Sequence, residues 1–351
     1  MVKMFYKYKT VDGDRDIKRV PLSNILILKE AERCGVEWEK IPYTKLYKLT
    51  YNGVVKFFHF QIPSETSSSA VYCCNNKRIT RNILSKSGIS VSNGFLIRGS
   101  DKDSYRLSVF NSLKKPVVVK PTNLSQAKNV SIGISSKKEY VESIDKINQY
   151  NGGKKTSVLV EEMFVGDEYR ILTSREKILG VMRRIPANLI GDGKSTIEEL
   201  IIEKNKDPLR GEYYPLSKIV INKLLIDHIN SQGLNLDSIV EKNKKIFLLK
   251  KSPTPIDDGG DTVDVTGCVH SSVHEIVSRI MKAIPGLSLA GIDYMTKDIS
   301  KVQTEENYSV IEINASPSID WQELPAVGEQ RNISFEFLKI MFPDLRPTKI
   351  P

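Results

Sequence analysis

The sequence predicts an α+β chain of two or three subdomains, and three observations lead there. Short apolar runs, such as Val117-Val118-Val119 and Val310-Ile311, read as buried strands. Stretches with apolar residues at helical spacing, such as Ile79, Ile83 and Leu84, separate them. At 351 residues the chain is long enough for more than one core.

Residues 1 to about 75 read as a small α/β unit. Ser23 is placed to cap a helix over Asn24–Arg33, which Gly35 stops. Strands Leu46–Tyr51 and Val54–Phe60 flank Asn52-Gly53, a strong hairpin signal. His59 is expected to be a packed strand residue, and Ser67-Ser68-Ser69 a short loop. The valine run 117–119 ends in Lys120-Pro121, so Lys120 emerges where a buried strand meets a loop. Loop 122–129, carrying Lys128, leads into a strand over Val130–Ile134, a flap suited to covering phosphate. A helix over Glu139–Tyr150 follows, closed by Asn151-Gly152-Gly153.

Strand Ser157–Met163 ends in Glu161 and Glu162 and runs through Gly166 into a second strand, making either a hinge or a charged turn. Ile178–Ile185 is another strand, with Arg183 and Arg184. Gly191–Thr196 invites a P-loop reading, but that pattern needs glycine where Asn188 stands. A capping box of Ser195 and Glu198, opening a helix over Thr196–Glu203, is the better reading. Beyond it are a turn at Asp207–Gly211, a helix over Ile219–Gln232, a strand Phe247–Lys251 and a loop at Asp257–Asp261. His270 and His274 lie four apart on a helix, and without a third ligand they read as surface histidines rather than zinc ligands. Asn332–Phe342 is an amphipathic helix.

The chemistry concentrates in Ser309–Pro317. Glu312 and Asn314 are two apart on a strand and share a face. Leu289–Met295 is a second apolar run, and a hairpin between the two would set Asp293 opposite Glu312. Two carboxylates and a carboxamide form a hard-oxygen set, suited to magnesium held jointly with phosphates.

Lysine and arginine number 52 against 42 acidic residues, a net charge of +10. The basic residues are scattered and not interleaved with aromatics, which favours an anion-binding cleft over a nucleic-acid binder. Residues 1–16 are charged and lack the apolar core of a signal peptide, and no run reaches membrane-spanning length. Cys34, Cys73, Cys74 and Cys268 form no Cys-x-x-Cys pair, so reduced thiols in a cytoplasmic protein are expected.

Taken in order, the motifs resemble the ATP-grasp superfamily of carboxylate–amine ligases. Those carrying the resemblance are Cys74–Lys77 with Ile79-Thr80, Val118–Pro121, Val160–Glu162, Gly166–Glu168, Arg184–Ala187 with Gly191–Leu200, Asp264–Thr266 with His270, Gly291–Asp293 and Glu312–Asn314. Within it the chain looks most like the ATP-grasp parts of cyanophycin synthetase and bifunctional glutathione synthetase, over residues 20 to 345. The resemblance implies an N-terminal α/β domain (1–75), a small subdomain with the phosphate flap (76–163) and a C-terminal subdomain with the metal site (164–351). The last two would sandwich the nucleotide.

It also implies roles. Lys77, Lys120 and Lys128 reach ATP phosphates. Glu161, Glu162, Met163 and Phe164 form the hinge at the adenine edge. Glu168 takes the ribose hydroxyls. Asp293, Glu312 and Asn314 hold magnesium, for which manganese can substitute. Arg170, Arg184, Arg210 and Lys250 lie near the transferred phosphate or the substrate carboxylate. The implied reaction joins an amino-acid or peptide carboxylate to an amine through an acyl phosphate. The partners are small molecules, with no membrane or nucleic acid, and a homodimer is compatible. One departure stands out. Relatives have a glycine-rich flap, whereas Leu124, Ala127 and Asn129 occupy the matching positions here. A glutathione-type or cyanophycin-type ligase, or a nucleotide-binding protein without turnover, are the competing readings.

Overall fold

The computed structural model describes residues 7–8, 15–16, 20–122, 129–211, 214–249 and 259–347. Lys128, Lys250 and the flap positions 124 and 127 lie outside them. A two-residue ladder, β1 (Lys7–Tyr8) with β2 (Arg15–Asp16), precedes α1 (Leu22–Arg33). A four-stranded antiparallel meander follows: β3 (Glu37–Lys40), β4 (Leu46–Tyr51), β5 (Val54–His59) and β6 (Ile62–Pro63). Asn52 and Gly53 both take positive φ at its hairpin, 49° and 77°, as a two-residue turn requires.

Helices α2 (Ser68–Asn75) and α3 (Lys77–Lys86) lead to a second sheet, β7 (Gly94–Ile97), β8 (Val117–Pro121), β9 (Ser131–Ile134) and β10 (Val158–Glu162), ordered β7-β10-β8-β9. Helices α4 (Asp103–Ser112) and α5 (Lys137–Tyr150) pack on it, burying Phe110, Tyr140 and Ile147 against its valines. The third sheet holds β11 (Asp167–Ser174), β12 (Ile178–Ile185), β15 (Asp261–Asp264), β16 (Leu289–Thr296) and β17 (Tyr308–Asn314), ordered β15-β12-β11-β16-β17. Between β12 and β15 lies a small lobe with its own core, made of β13 (Asn188–Ile190), α6 (Ile197–Lys204), α7 (Lys223–Asn230) and β14 (Lys245–Phe247). Helices α8 (Ser271–Ala283), α9 (Asp320–Glu323) and α10 (Ile333–Met341) complete the chain. Among the described residues no helix is long and apolar enough to cross a membrane.

The third sheet divides its alternating residues between two environments. Tyr169, Ile171, Val181, Ile292 and Tyr294 enter a core with α8, and Ala70, Cys74 and Leu84 of α2 and α3 join it. On the other face, Leu172 and Leu289 enter a second core with α1, α10 and the meander residues Tyr47, Leu49 and Phe58. The polar site occupies the rest of that second face.

Several local expectations need correction. Residues 68–75 are helical, because Ser67 accepts a hydrogen bond from the Ala70 amide and starts a helix where a serine-rich loop was expected. The capping box is Thr196 with Glu199, one residue later than read, while Ser195 donates to Asp192. Ser23 lies inside α1 and donates to buried Asp320 instead of capping the helix. Residues 219–222 precede α7 rather than belonging to it, since Asn222 caps that helix. His59 is exposed: strand alternation turns Phe58 inward and His59 outward. His270 caps α8 through Nδ1, which accepts from the Ser272 amide.

Carboxyls collect where α1, α9 and α10 meet. Glu30 pairs with Arg33, Asp320 accepts from Ser23, and Glu323 accepts from the Ser334 amide. Burial pushes Glu323 up to about 7 from the ordinary 4.5. The unfolded chain therefore gives up this proton first, so stability falls as pH rises from about 4.5 to about 7 and levels off above. Glu323→Gln keeps an acceptor for Ser334 and removes the charge. It is expected to stabilise the protein at pH 8 by on the order of 1–3 kcal/mol and to have little effect at pH 4. Thermal melts across that range check this; parallel pH dependence in the two proteins would show that another group titrates.

Candidate active site

Strand register builds the site. Asp293 stands opposite Glu312, Gly291 opposite Asn314, Arg170 opposite Asp293, and Glu168 opposite Arg184. The register shifts between Asp293 and Tyr294, which inserts Ile311 as an extra residue on β17. Val310 and Ile313 can therefore both enter the core below, while Glu312 and Asn314 stay on the polar face. Arg184, Glu168, Arg170, Asp293, Glu312 and Asn314 thus share one face of four adjacent strands.

Their charges interlock. Arg170 Nε lies 3.0 Å and Arg184 Nη2 3.2 Å from Asp293 Oδ1. Arg184 Nη1 also pairs closely with Glu168 Oε1. Lys77, in the first turn of α3, brings Nζ to 3.3 Å from Glu312 Oε2. Burial pushes the Arg170 guanidinium below its ordinary value; Arg184, equally buried, is held above its own by Asp293 and Glu168. Both stay cationic, since an arginine is not deprotonated in a protein. Arg170 Nη1 and Arg184 Nε are buried and find no hydrogen-bond partner among the described residues.

Two contributors were given no role in the site from the sequence, although Gly291 belongs to one of its motifs. Trp321 of α9 lies under both guanidinium groups, its ring centre 5.0 Å from Arg184 Cζ and 5.6 Å from Arg170 Cζ, and its indole N–H donates to the Pro215 carbonyl. Gly291 leaves room, since a Cβ there would lie 2.7 Å from Pro317 Cβ and 2.8 Å from Arg170 Nη1. The rarity of tryptophan, two in the chain, was the only available pointer to the first.

A cleft opens beside this cluster, between β17 and the second sheet. Lys77 and Arg81 of α3, Lys120 of β8, Glu161 of β10 and Glu312 of β17 line it. Glu161 is buried and pairs with Lys120 through Oε2 and with Arg81 through Oε1. Glu162 turns the other way, accepting from Asn93 Nδ2 and the Lys114 amide. The Met163 amide donates to the Pro116 carbonyl, and Phe164 follows in the link to β11. Asn129 takes φ +56°, a left-handed conformation that asparagine tolerates.

Arg210 sits at the junction of the small lobe and β15. Its buried guanidinium pairs with Asp261 and donates to the carbonyls of Ser217 and Gly259. Lys204 and Asn188 meet the same Asp261, so these groups tie the small lobe to β15. The described contacts of Arg210 do not reach the Asp293 cluster.

The donor chemistry fits a hard divalent ion. Asp293 and Glu312 are cross-strand partners, and the Glu312 side chain keeps 29% exposure, open to a ligand. Among the described residues no three His, Cys, Asp or Glu side chains gather into a site that could hold a metal unaided. Two carboxylates and a carboxamide therefore suit an ion that takes its remaining ligands from phosphate oxygens and water.

No family model matches the chain. Cyanophycin synthetase from Synechocystis sp. is 32% identical over 327 residues, 93% of this chain and 37% of that protein. The glutathione biosynthesis bifunctional protein of Clostridium perfringens is 34% identical over 325 residues, 92% of this chain and 41% of that protein. The chain thus spans about two-fifths of the length of these curated relatives. Among solved structures, the bifunctional glutathione synthetase from Pasteurella multocida superposes with a TM-score of 0.74 at 26% identity, covering 93% of this chain and 45% of that one.

Proposed function

Because the chain belongs to the ATP-grasp superfamily and has its fold, we propose that it is an ATP-dependent carboxylate–amine ligase acting on amino acids or short peptides. The observation carrying this reading is the pairing of Asp293 with Glu312 in register, on the face that also holds Asn314, Arg170 and Arg184. The cleft beside them, with Lys77, Lys120 and Glu161, is the place for nucleotide.

A carboxylate oxygen of one substrate attacks the γ-phosphorus of ATP, and the bond to the β–γ bridging oxygen breaks. The products are ADP and an acyl phosphate. The amine nitrogen of the second substrate then attacks the acyl carbon, the carbon–oxygen bond to phosphate breaks, and the amine loses its proton. Reactants and leaving groups are anionic, so the chain's task is positioning and charge neutralisation. Lys77 and Lys120 supply positive charge along the triphosphate. Arg170 and Arg184, with unpaired N–H groups in a buried setting, are the donors for the transferred phosphoryl group or the substrate carboxylate. The backbone of Glu161–Phe164 would meet the adenine edge, and Glu168 would take the ribose hydroxyls. Asp293, Glu312 and Asn314 would hold magnesium, which when bound would supply positive charge to offset the negative charge of the phosphates.

Phosphate release measured on pairs of amino acids and short peptides, with mass spectrometry of the products, tests this. Amide formation with stoichiometric ADP and phosphate is the expected result. ATP binding without turnover across a broad panel would instead favour a nucleotide-binding protein.

A further inference from the structure

Helix α3 starts at Asn76, whose side chain accepts from the Ile79 amide. Lys77 and Arg81 are four residues apart and so lie one above the other on one face. The helix is anchored to the core under the third sheet. Leu84 is buried there, Thr80 donates to the Cys73 carbonyl, and Arg279 of α8 donates to the carbonyls of Ser87 and Gly88 at its end. Its two cations nevertheless reach different sheets. Lys77 meets Glu312 of β17, and Arg81 Nη1 lies 3.3 Å from Glu161 Oε1 of β10.

Glu161 is confined from the other side too. Gly94 is its partner on β7, and a Cβ there would come 2.7 Å from Glu161 Cγ. The carboxylate is therefore held between β7, Lys120 and Arg81. Lys120 has a second claim on it, because the same ammonium is proposed to serve the nucleotide's phosphates. A point charge cannot fully serve both partners. Arg81 leaves Glu161 paired when Lys120 turns to phosphate.

We infer that Arg81 is a positioning residue of the nucleotide cleft, fixing the Glu161 carboxylate toward the base and, together with Lys77, bracing the two sheets across the cleft. This rests on the ATP reading above. Without Arg81, Lys120 and Glu161 pair only with each other, and contacts to base and phosphate weaken together. The amine and carboxylate substrates, placed at the Asp293 cluster, are not touched.

Calorimetric titration of the full chain with magnesium-ATP and magnesium-GTP tests this without requiring turnover. Arg81→Met is expected to weaken ATP binding about tenfold, equivalent to about 1.4 kcal/mol, and to narrow the preference for ATP over GTP. Arg81→Lys restores part of both. In a Glu161→Gln background, Arg81→Met adds less than about twofold, because the two act through one contact. Unchanged ATP affinity in Arg81→Met overturns the inference. So does an effect that multiplies fully with Glu161→Gln, or an equal loss for both nucleotides accompanied by a lower melting temperature. If the wild-type chain binds neither nucleotide, the ligase reading itself fails and takes this inference with it.

Discussion

Glu312→Gln is expected to abolish turnover and leave the fold intact. Glutamine keeps the shape and one oxygen but loses the charge that a hard divalent ion requires. Its cross-strand partner Asp293 is already shared by Arg170 and Arg184. The fall in kcat should be on the order of 10²–10³-fold or more, as for loss of one preorganised electrostatic group. Stability should hardly change. The Glu312–Lys77 pair is partly solvated, with the Glu312 side chain 29% exposed, and such pairs contribute only about 0–1 kcal/mol. Phosphate-release rates beside melting curves make the comparison. A variant that retains activity would count against Glu312 as a metal ligand.

Asp293→Asn should damage stability and activity together. Asp293 is the carboxylate common to both arginines, and its side chain is only 14% exposed. Without its charge, Arg184 still has Glu168, but Arg170 has no other ion-pair partner among the described contacts. Leaving a buried cation unpaired costs about 3–5 kcal/mol. Cation–π contact with Trp321 offsets only about 0.5–2 kcal/mol of that. Arg170→Met in the Asp293→Asn background should recover part of the lost stability, since the stranded charge is then gone. Denaturant titrations of both variants provide the measurement. If Asp293→Asn unfolds within about 0.5 kcal/mol of the wild type, the interlocked cluster is not holding buried charge.

Much of this site was legible along the chain because strand alternation is local. Glu312 and Asn314 share a face because they are two apart, and Asp293 falls opposite Glu312 in the hairpin expected from two apolar runs. Asn52-Gly53 specified its turn for the same local reason, both residues tolerating positive φ. Errors arose where neighbouring residues had equal claims. Ser195 and Thr196 can each cap a helix, and Thr196 does so because the Ser195 amide and hydroxyl are taken up by Asp192. Ser67–Ser69 could be loop or helix start, and burial of Ala70 and Cys74 beneath the third sheet favoured the helix.

The order of motifs, the hard-oxygen strand end and the valine strand ending in Lys120 were determined by the sequence itself, since each depends on residues close together in the chain. The tertiary structure alone decided how charges pair across the sheets. Arg170 meets Asp293, Lys77 meets Glu312, and Arg81 meets Glu161 across separations of 80 to more than 200 residues. Trp321 comes under two arginines that lie far before it in the chain. Such contacts depend on strand order and on which core each helix enters, and hydrophobic burial over the whole fold sets both, rather than any local preference.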